Sequence, residues 1–125
     1  MATIQVPPQW EDIARQLPTG PVMVIGAVNS GKSTFVRWLT GELRRRGEVA
    51  GWLDADTGQS TLGLPATMNL ARVRKGDFPP IPDAVFLTGS TSPRGHMLPA
   101  LVGVQLLKER ASALGVDALV VDTSG

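Results

Sequence analysis

Apolar residues follow two patterns along this chain: short, nearly continuous runs, and runs spaced like one face of a helix. The continuous runs lie at 21–26, 48–56, 84–89 and 116–122. Runs of this kind are typical of strands buried on both faces, as in a parallel sheet. We therefore predict four such strands. A loosely alternating stretch at 67–74 predicts a further short strand at the sheet edge.

Helical spacing separates several of these runs. Apolar residues recur every three or four positions at 8–17, 32–46 and 97–114, which predicts three amphipathic helices. Gly47 and Gly115 follow the last two and suit helix C-caps. Alternating strands and helices predict an α/β domain with a mainly parallel sheet. Right-handed crossovers would bring the loops after the strands to one edge of that sheet.

Composition narrows the class of protein. The chain has 125 residues, the length of one domain, and a net charge of +1, which gives no overall attraction to nucleic acid or membrane. It has no cysteine, which excludes disulfides and thiolate metal sites. The N-terminus lacks the features of a secretory signal, and no apolar run is long enough to span a bilayer. We therefore expect a soluble cytoplasmic protein, or a nuclear one if its source is eukaryotic, with no membrane partner.

The segment GAVNSGKST lies between the first predicted strand and the second predicted helix. It matches G-x-x-x-x-G-K-[ST], a loop whose backbone N–H groups surround phosphates. In this motif the lysine, here Lys32, reaches the β- and γ-phosphates, and the hydroxyl of Ser33 ligates Mg²⁺. A glycine-rich turn with a surface lysine would not explain the flanking strand and helix. The predicted nucleotide-binding residues are Gly26, Ala27, Val28, Asn29, Ser30, Gly31, Lys32, Ser33 and Thr34.

Three carboxylates follow predicted buried strands: Asp54 and Asp56 in LDADTGQS, and Asp122 in LVVDTSG. If the strands are neighbours, these side chains lie beside the phosphate loop. One carboxylate could then ligate a metal-bound water while another accepts a proton from an attacking hydroxyl. Alternatively, Asp54 or Asp122 caps a turn at the strand end.

Two further loop segments carry candidate substrate contacts. Gln59 follows the first acid pair and could orient a nucleophile or a phosphate oxygen, or be an ordinary loop residue. The segment GSTSPRGH contains Thr91, Ser92 and Arg94, which suit a second anion site for an acceptor phosphate. A polar turn before a helix is the alternative for this segment.

Four segments together resemble the ATP-binding domain of the polynucleotide 5′-hydroxyl kinases: GAVNSGKST, WLDADTGQSTLGLP, FLTGSTSPRGH and VVDTSG. Their order and spacing match that family over about residues 8–125. The D-x-D-x-G-Q element at 54–59 is more specific than the phosphate loop alone. The family includes RNA kinases of pre-mRNA 3′-end processing and ribosomal RNA maturation.

The resemblance implies a P-loop NTPase fold, a three-layer sandwich with ATP and Mg²⁺ as cofactors. The acceptor would be the 5′-OH end of RNA or DNA, and RNA-processing proteins would be the partners. Lys32 would bind phosphates, Asp54 and Asp56 would serve Mg²⁺ and the acceptor hydroxyl, and Gln59 would lie near the γ-phosphate. We expect Ser33, Asp56 and Asp122 to be the metal ligands.

The chain also departs from the family pattern. Asp122 stands where the family usually has asparagine, so that DTSG resembles the D-x-x-G element of GTPases. A clasping tryptophan and the lid arginines of the family would lie beyond Gly125. We therefore expect residues 1–125 to be a single ATP-binding domain, a fragment of a longer kinase. Such a fragment should bind nucleotide but transfer phosphate poorly or not at all, because arginines of this kind are worth about 10³–10⁵ in rate.

Three other functions are compatible with the sequence. A switch GTPase or partition-type ATPase shares the loop, although the latter normally has a lysine where this chain has Ala27. A non-catalytic ATP-binding scaffold would retain the loop while partner proteins carry out the chemistry. A small-molecule kinase is the third possibility. Nucleotide preference and labelling of 5′-OH oligonucleotides discriminate among them.

Overall fold

The computed structural model describes residues 6–17, 21–24, 31–56, 62–63, 66–74, 80–88 and 97–123. The elements in chain order are α1 (Pro8–Arg15), β1 (Val22–Val24), α2 (Lys32–Arg45), β2 (Ala50–Asp54), β3 (Thr67–Arg72), β4 (Ala84–Leu87), α3 (Met97–Ala113) and β5 (Ala118–Asp122). Each predicted helix and strand is therefore present, most with shorter bounds. In this described part of the chain, no helix is both long and apolar enough to cross a membrane.

The strands form one sheet in the order β1-β5-β2-β3-β4. β5 pairs in parallel with both β1 and β2, whereas β3 pairs antiparallel with both β2 and β4. The sheet is mixed, so the prediction of a mainly parallel sheet is not confirmed. The predicted edge position of β3 is wrong, because β3 lies between two strands and β4 lies outside it.

No helix is predicted between β2 and β3 or between β3 and β4, since the predicted helices lie at 8–17, 32–46 and 97–114. A strand joined to the next without a crossover helix reverses direction, which explains the antiparallel pairings. After two reversals, β4 runs in the same direction as β2. The carboxyl ends of β1, β5, β2 and β4 therefore meet at one edge of the sheet.

Alternate residues of the sheet face two separate cores. Ala50 and Trp52 of β2 pack in one cluster with Leu39 of α2, while Leu53 packs in the other with Leu107 of α3. α1 packs on the outside of α2, where the ring centroids of Trp10 and Phe35 lie 5.1 Å apart in an edge-on contact. The result is three layers, with α1 and α2 on one face of the sheet and α3 on the other.

Candidate active site

The first turn of α2 lies at the carboxyl edge of the sheet. Gly31 is its N-cap, with φ of +83° in the left-handed region that favours glycine. Lys32 is the first helical residue, and Ser33 and Thr34 are exposed in the same turn. The start of a helix presents unpaired backbone N–H groups and a partial positive charge, which attract anions. The other predicted phosphate contacts, Gly26 to Ser30, lie outside the described residues.

Lys32 joins α2 to the ends of two strands. Its Nζ lies 3.2 Å from Asp122 Oδ1 at the end of β5 and 3.4 Å from Asp56 Oδ2, just after β2. The ammonium also donates a hydrogen bond to the backbone carbonyl of Thr123. The side chain of Lys32 is only 8% exposed, so these contacts form in a largely desolvated environment. The structure therefore brings Lys32, Asp56 and Asp122 together.

Asp122 is the buried carboxylate of this group. Burial raises the pKa of Asp122 above its ordinary value; Lys32 opposes the rise, and the nearby charges of Asp54 and Asp56 add to it. Asp122 Oδ1 is within ion-pair distance of Lys32 but makes no hydrogen bond with good geometry. Lys32 therefore compensates only part of the cost of burying this charge.

Asp54 has different surroundings from Asp56. It is fully buried, and its Oδ1 accepts the backbone N–H of Asp56 at 3.1 Å. Its Oδ2 accepts the backbone N–H of Leu62 at 3.0 Å. This is the geometry of the turn-capping alternative, in which a carboxylate satisfies backbone donors. The predicted strand 48–56 ends at Asp54, so Asp56 lies in the turn beyond it.

The order of the strands determines how each acid comes to lie near Lys32. β5 lies between β1 and β2, so the strand that ends in Asp122 is the direct neighbour of β1. The strand that ends in Asp54 is one place further away. Asp56 nevertheless reaches Lys32, because the chain continues past Asp54 at the same edge of the sheet.

Sequence reasoning missed two residues near this edge. The carbonyl of Thr123 accepts from Lys32, and its hydroxyl donates to the carbonyl of Val24 at 3.0 Å. No residue-type pattern identifies a backbone acceptor. Asn69 is the cross-strand partner of Asp54 and is buried, donating to the hydroxyl of Thr67 at 2.9 Å. In the sequence, Asn69 could have been identified as a polar residue inside a mostly apolar predicted strand.

The predicted acceptor contacts are not covered by the described residues. These are Gln59, Thr91, Ser92 and Arg94, and all four stay predictions.

The described residues fit Mg²⁺ by the chemistry of their donor atoms. No group of three or more histidine, cysteine, aspartate or glutamate side chains among them is arranged to hold a metal by itself. Mg²⁺ usually binds one or two protein carboxylates and takes its other ligands from water and substrate phosphates. Asp56 and Asp122 offer two carboxylates, and Ser33 offers a hydroxyl in the adjacent first turn of α2. These are the hard oxygen ligands that Mg²⁺ prefers.

Comparison with known proteins gives one family match. The family described as mRNA cleavage and polyadenylation factor CLP1 P-loop matches residues 26–125. Those residues include the first turn of α2 and all three acids. The description names a P-loop, and the three-layer α/β architecture with its mixed sheet fits a P-loop NTPase fold.

Several proteins of known name are similar to the chain. A polyribonucleotide 5′-hydroxyl-kinase of Thermococcus kodakarensis is 33% identical over 119 residues, covering 92% of this chain and 33% of the relative. A polyribonucleotide 5′-hydroxyl-kinase of Methanocaldococcus jannaschii is 32% identical over 108 residues, covering 83% and 29%. The polynucleotide 5′-hydroxyl-kinase GRC3 of Cryptococcus neoformans is 36% identical over 72 residues, covering 51% and 10%. The chain thus spans about a third of the length of the first two relatives.

Proposed function

This chain belongs to the CLP1 P-loop family, and we propose that it is the ATP-binding domain of a polynucleotide 5′-hydroxyl kinase. The reaction would transfer the γ-phosphoryl group of ATP to the 5′-OH of RNA. The observation that carries the proposal is the meeting of Lys32 with Asp56 and Asp122 at the first turn of α2. A cation for phosphates and acids for a metal and a proton are the parts that phosphoryl transfer needs.

Each of these residues has a proposed task. The ammonium of Lys32 exchanges its carboxylate contacts for the β- and γ-phosphates when ATP binds. Ser33, Asp56 and Asp122 would hold Mg²⁺, which would neutralise charge on the transferred phosphoryl group. Asp56 is the more exposed of the two acids near Lys32, at 14% against 2% for the side chain of Asp122. We therefore assign to Asp56 the proton of the acceptor hydroxyl.

In the proposed transfer, every bond formed and broken is accounted for, and Asp56 is the proton acceptor. A bond forms between the 5′ oxygen and the γ-phosphorus, and the bond from that phosphorus to the β–γ bridging oxygen breaks. ADP leaves, and the hydroxyl proton moves to the carboxylate of Asp56. Gln59, Thr91, Ser92 and Arg94 are proposed to contact the acceptor end.

RNA is the acceptor class that the relatives' names favour. The relatives from Thermococcus and Methanocaldococcus are both named polyribonucleotide kinases, and the Cryptococcus relative is named a polynucleotide kinase. The small net charge of this chain suits recognition of a strand end rather than long contact with the backbone. RNA-processing proteins are the proposed partners.

A single-turnover assay tests the proposal even if transfer is slow. The chain is held in excess over ATP labelled at the γ-phosphate, with Mg²⁺ and a short oligoribonucleotide. We expect label to appear on an oligoribonucleotide with a 5′-OH and not on one with a 5′-phosphate. Lys32→Ala should abolish transfer. Arg45→Ala, which removes an exposed charge from the last turn of α2, should leave it unchanged.

Other outcomes would replace the proposal. ATP binding without any labelling of RNA, in a version extended to the length of the relatives, would indicate a scaffold. Tighter binding of GTP than of ATP would indicate a nucleotide switch. Release of labelled phosphate at the same rate with and without RNA would indicate an ATPase with no polynucleotide acceptor.

A further inference from the structure

We propose that Asp54 is a positioning residue that holds Asp56 in place and does not itself contact substrate, metal or the transferred proton. The inference rests on the proposed function, because it assigns different tasks to the two acids of the D-x-D pair. By sequence the two carboxylates are equivalent candidates. In the structure their surroundings differ.

Asp54 is enclosed by the protein. The residue has no exposed surface, and its two carboxylate oxygens accept the backbone N–H groups of Asp56 and Leu62 at 3.1 and 3.0 Å. We refer to these two hydrogen bonds as the Asp54 clamp. Hydrogen bonds from amides to a buried carboxylate are charge-assisted and stronger than those between neutral groups. A group held in this way has no exposed surface from which to meet a nucleotide or a hydroxyl.

One arm of the clamp fixes the backbone that carries Asp56. The N–H of Asp56 is bonded to Asp54, and the N–H of Ala55 donates to the carbonyl of Asp122 at 2.8 Å. Two consecutive backbone groups after β2 are thereby fixed to the ends of β2 and β5. The side chain of Asp56 leaves this fixed segment and reaches 3.4 Å from Lys32 Nζ. Loosening the segment would therefore move the carboxylate relative to the ammonium.

The other arm of the clamp ends in the protein core. Leu62 is buried in the cluster beneath α2. At Gly63 an added Cβ would lie 2.5–2.7 Å from atoms of the Asn69 side chain, so this segment packs directly on Asn69. Asn69 is in turn the cross-strand partner of Asp54. The clamp thus joins β2, β3 and the segment at 62–63 into one packed unit.

Asp54→Asn is the decisive variant. Asparagine has the same shape but one acceptor oxygen, so its amide nitrogen would face a backbone N–H and one arm would be lost. We expect faster amide hydrogen exchange at Asp56 or Leu62. We also expect the single-turnover rate at saturating ATP to fall by about 10²-fold, with ATP affinity largely kept, because a small displacement of a reacting group has a cost of this order.

A double-mutant cycle tests whether Asp54 acts through Asp56. If it does, Asp54→Asn should slow the wild type strongly but have little further effect in an Asp56→Asn background. Additive losses would overturn the proposal, because they would mean that Asp54 acts directly. Fast hydrogen exchange of the Asp56 and Leu62 amides in the wild type would also overturn the proposal. This measurement does not depend on whether any variant folds.

A matched control lies at the opposite edge of the sheet. The Oδ2 of Asp83 accepts the backbone N–H of Arg72 at 2.8 Å, so Asp83→Asn perturbs a similar bond far from Lys32. We expect it to change neither exchange at Leu62 nor the transfer rate. If the wild type labels no RNA while Asp54→Asn still speeds amide exchange at Asp56 or Leu62, the kinase proposal fails but the two hydrogen bonds of the Asp54 clamp are supported. If RNA is labelled and exchange is unchanged in the variant, only the positioning role fails.

Discussion

At the scale of single residues, the main feature is a buried negative charge at the end of β5, the strand between β1 and β2. Folding removes water from Asp122, and this burial raises its pKa. The nearby charge of Lys32 opposes the rise but does not cancel it. A carboxyl group whose pKa is raised by folding binds protons more tightly in the native state. Its ionisation therefore lowers stability as pH rises through the interval between the unfolded and folded pKa values.

Asp122→Asn should increase the free energy of unfolding of the metal-free protein at neutral pH. The amide keeps the shape and removes the ionisation cost, and Lys32 retains Asp56 and the Thr123 carbonyl as partners. The gain should shrink as pH is lowered, because the wild-type carboxyl then also becomes neutral. Urea unfolding in EDTA over a pH series measures this. A variant less stable than the wild type at neutral pH would contradict it.

The two carboxylates that meet Lys32 were predictable from the sequence, whereas the Thr123 carbonyl and the different surroundings of Asp54 and Asp56 were not. The motif identified the lysine, and the edge rule for strand ends identified the acids. The spacing of two residues suggested that both acids point the same way, which assumes a strand that continues to Asp56. The strand ends at Asp54, and the turn beyond it gives the two carboxylates different partners.

At the scale of elements, the contact between α3 and the sheet depends on a residue without a side chain. A Cβ on Gly103 would lie 2.6 and 2.9 Å from ring atoms of Phe86 and 3.0 Å from the Met68 sulfur. Gly103 thus lets the helix approach β3 and β4 closely. Gly41 of α2 has nothing within 4 Å of the same position.

Gly103→Ala should destabilise the fold by about 1–3 kcal/mol, the usual cost of overpacking, despite its better helix propensity. Gly41→Ala is the matched control and should be stabilising by up to about 1 kcal/mol, because only propensity changes there. Thermal unfolding of the two variants beside the wild type provides the measurement. Equal effects of the two substitutions would mean that the close approach at Gly103 is not important for stability.

The carboxylate of Asp83 links the start of β4 to the end of β3. Asp83 bonds the backbone and side chain of Arg72 and lies 3.5 Å from Arg74. The hydrogen bond from Arg72 lowers the pKa of Asp83, against an opposing effect of burial. A lowered pKa stabilises the fold above the unfolded pKa, and this stability is lost as pH falls through the folded value.

Asp83→Asn should therefore destabilise the protein at neutral pH and approach the wild type in acid. Denaturant unfolding of both proteins at neutral pH and well below the ordinary carboxyl pKa would reveal this convergence. A difference that stayed constant with pH would mean that the charge of Asp83 contributes nothing.

The helices and strands were predictable from the sequence, but the direction and order in which the strands pair were only partly predictable. Continuous apolar runs located four of the five strands and a loosely alternating stretch located β3, because a buried strand needs apolar residues whatever its direction. Direction depends on the connections, and the prediction of a mainly parallel sheet did not take into account that no helix is predicted on either side of β3. The place of β3 inside the sheet follows from β4 pairing beyond it, a long-range contact that local pattern does not encode.

At the scale of the whole molecule, a bound nucleotide should stabilise the entire fold. Lys32, which we propose to bind the phosphates, joins α2 to the ends of β2 and β5, so ligand binding and folding should be linked. At a concentration of one hundred times Kd, a ligand specific for the native state adds about 2.7 kcal/mol. We expect ATP with Mg²⁺ to raise the melting temperature by several degrees.

GTP should give a smaller shift than ATP, and Lys32→Ala should give little shift with either nucleotide. Differential scanning fluorimetry over a series of nucleotide concentrations measures both effects. An equal or larger shift with GTP would contradict the proposed use of ATP. A full ATP shift in Lys32→Ala would mean that the nucleotide binds elsewhere.

The position of β5 between β1 and β2 has a consequence during protein synthesis. β1 and β2 do not pair with each other; each pairs with β5, which is translated long after both. On the ribosome, the nascent chain can assemble the β2–β3–β4 meander early, because those contacts are local. The half of the sheet that carries the phosphate loop must wait for residues 118–122 to emerge, so affinity for nucleotide should arise late, when the last strand inserts between the two older ones.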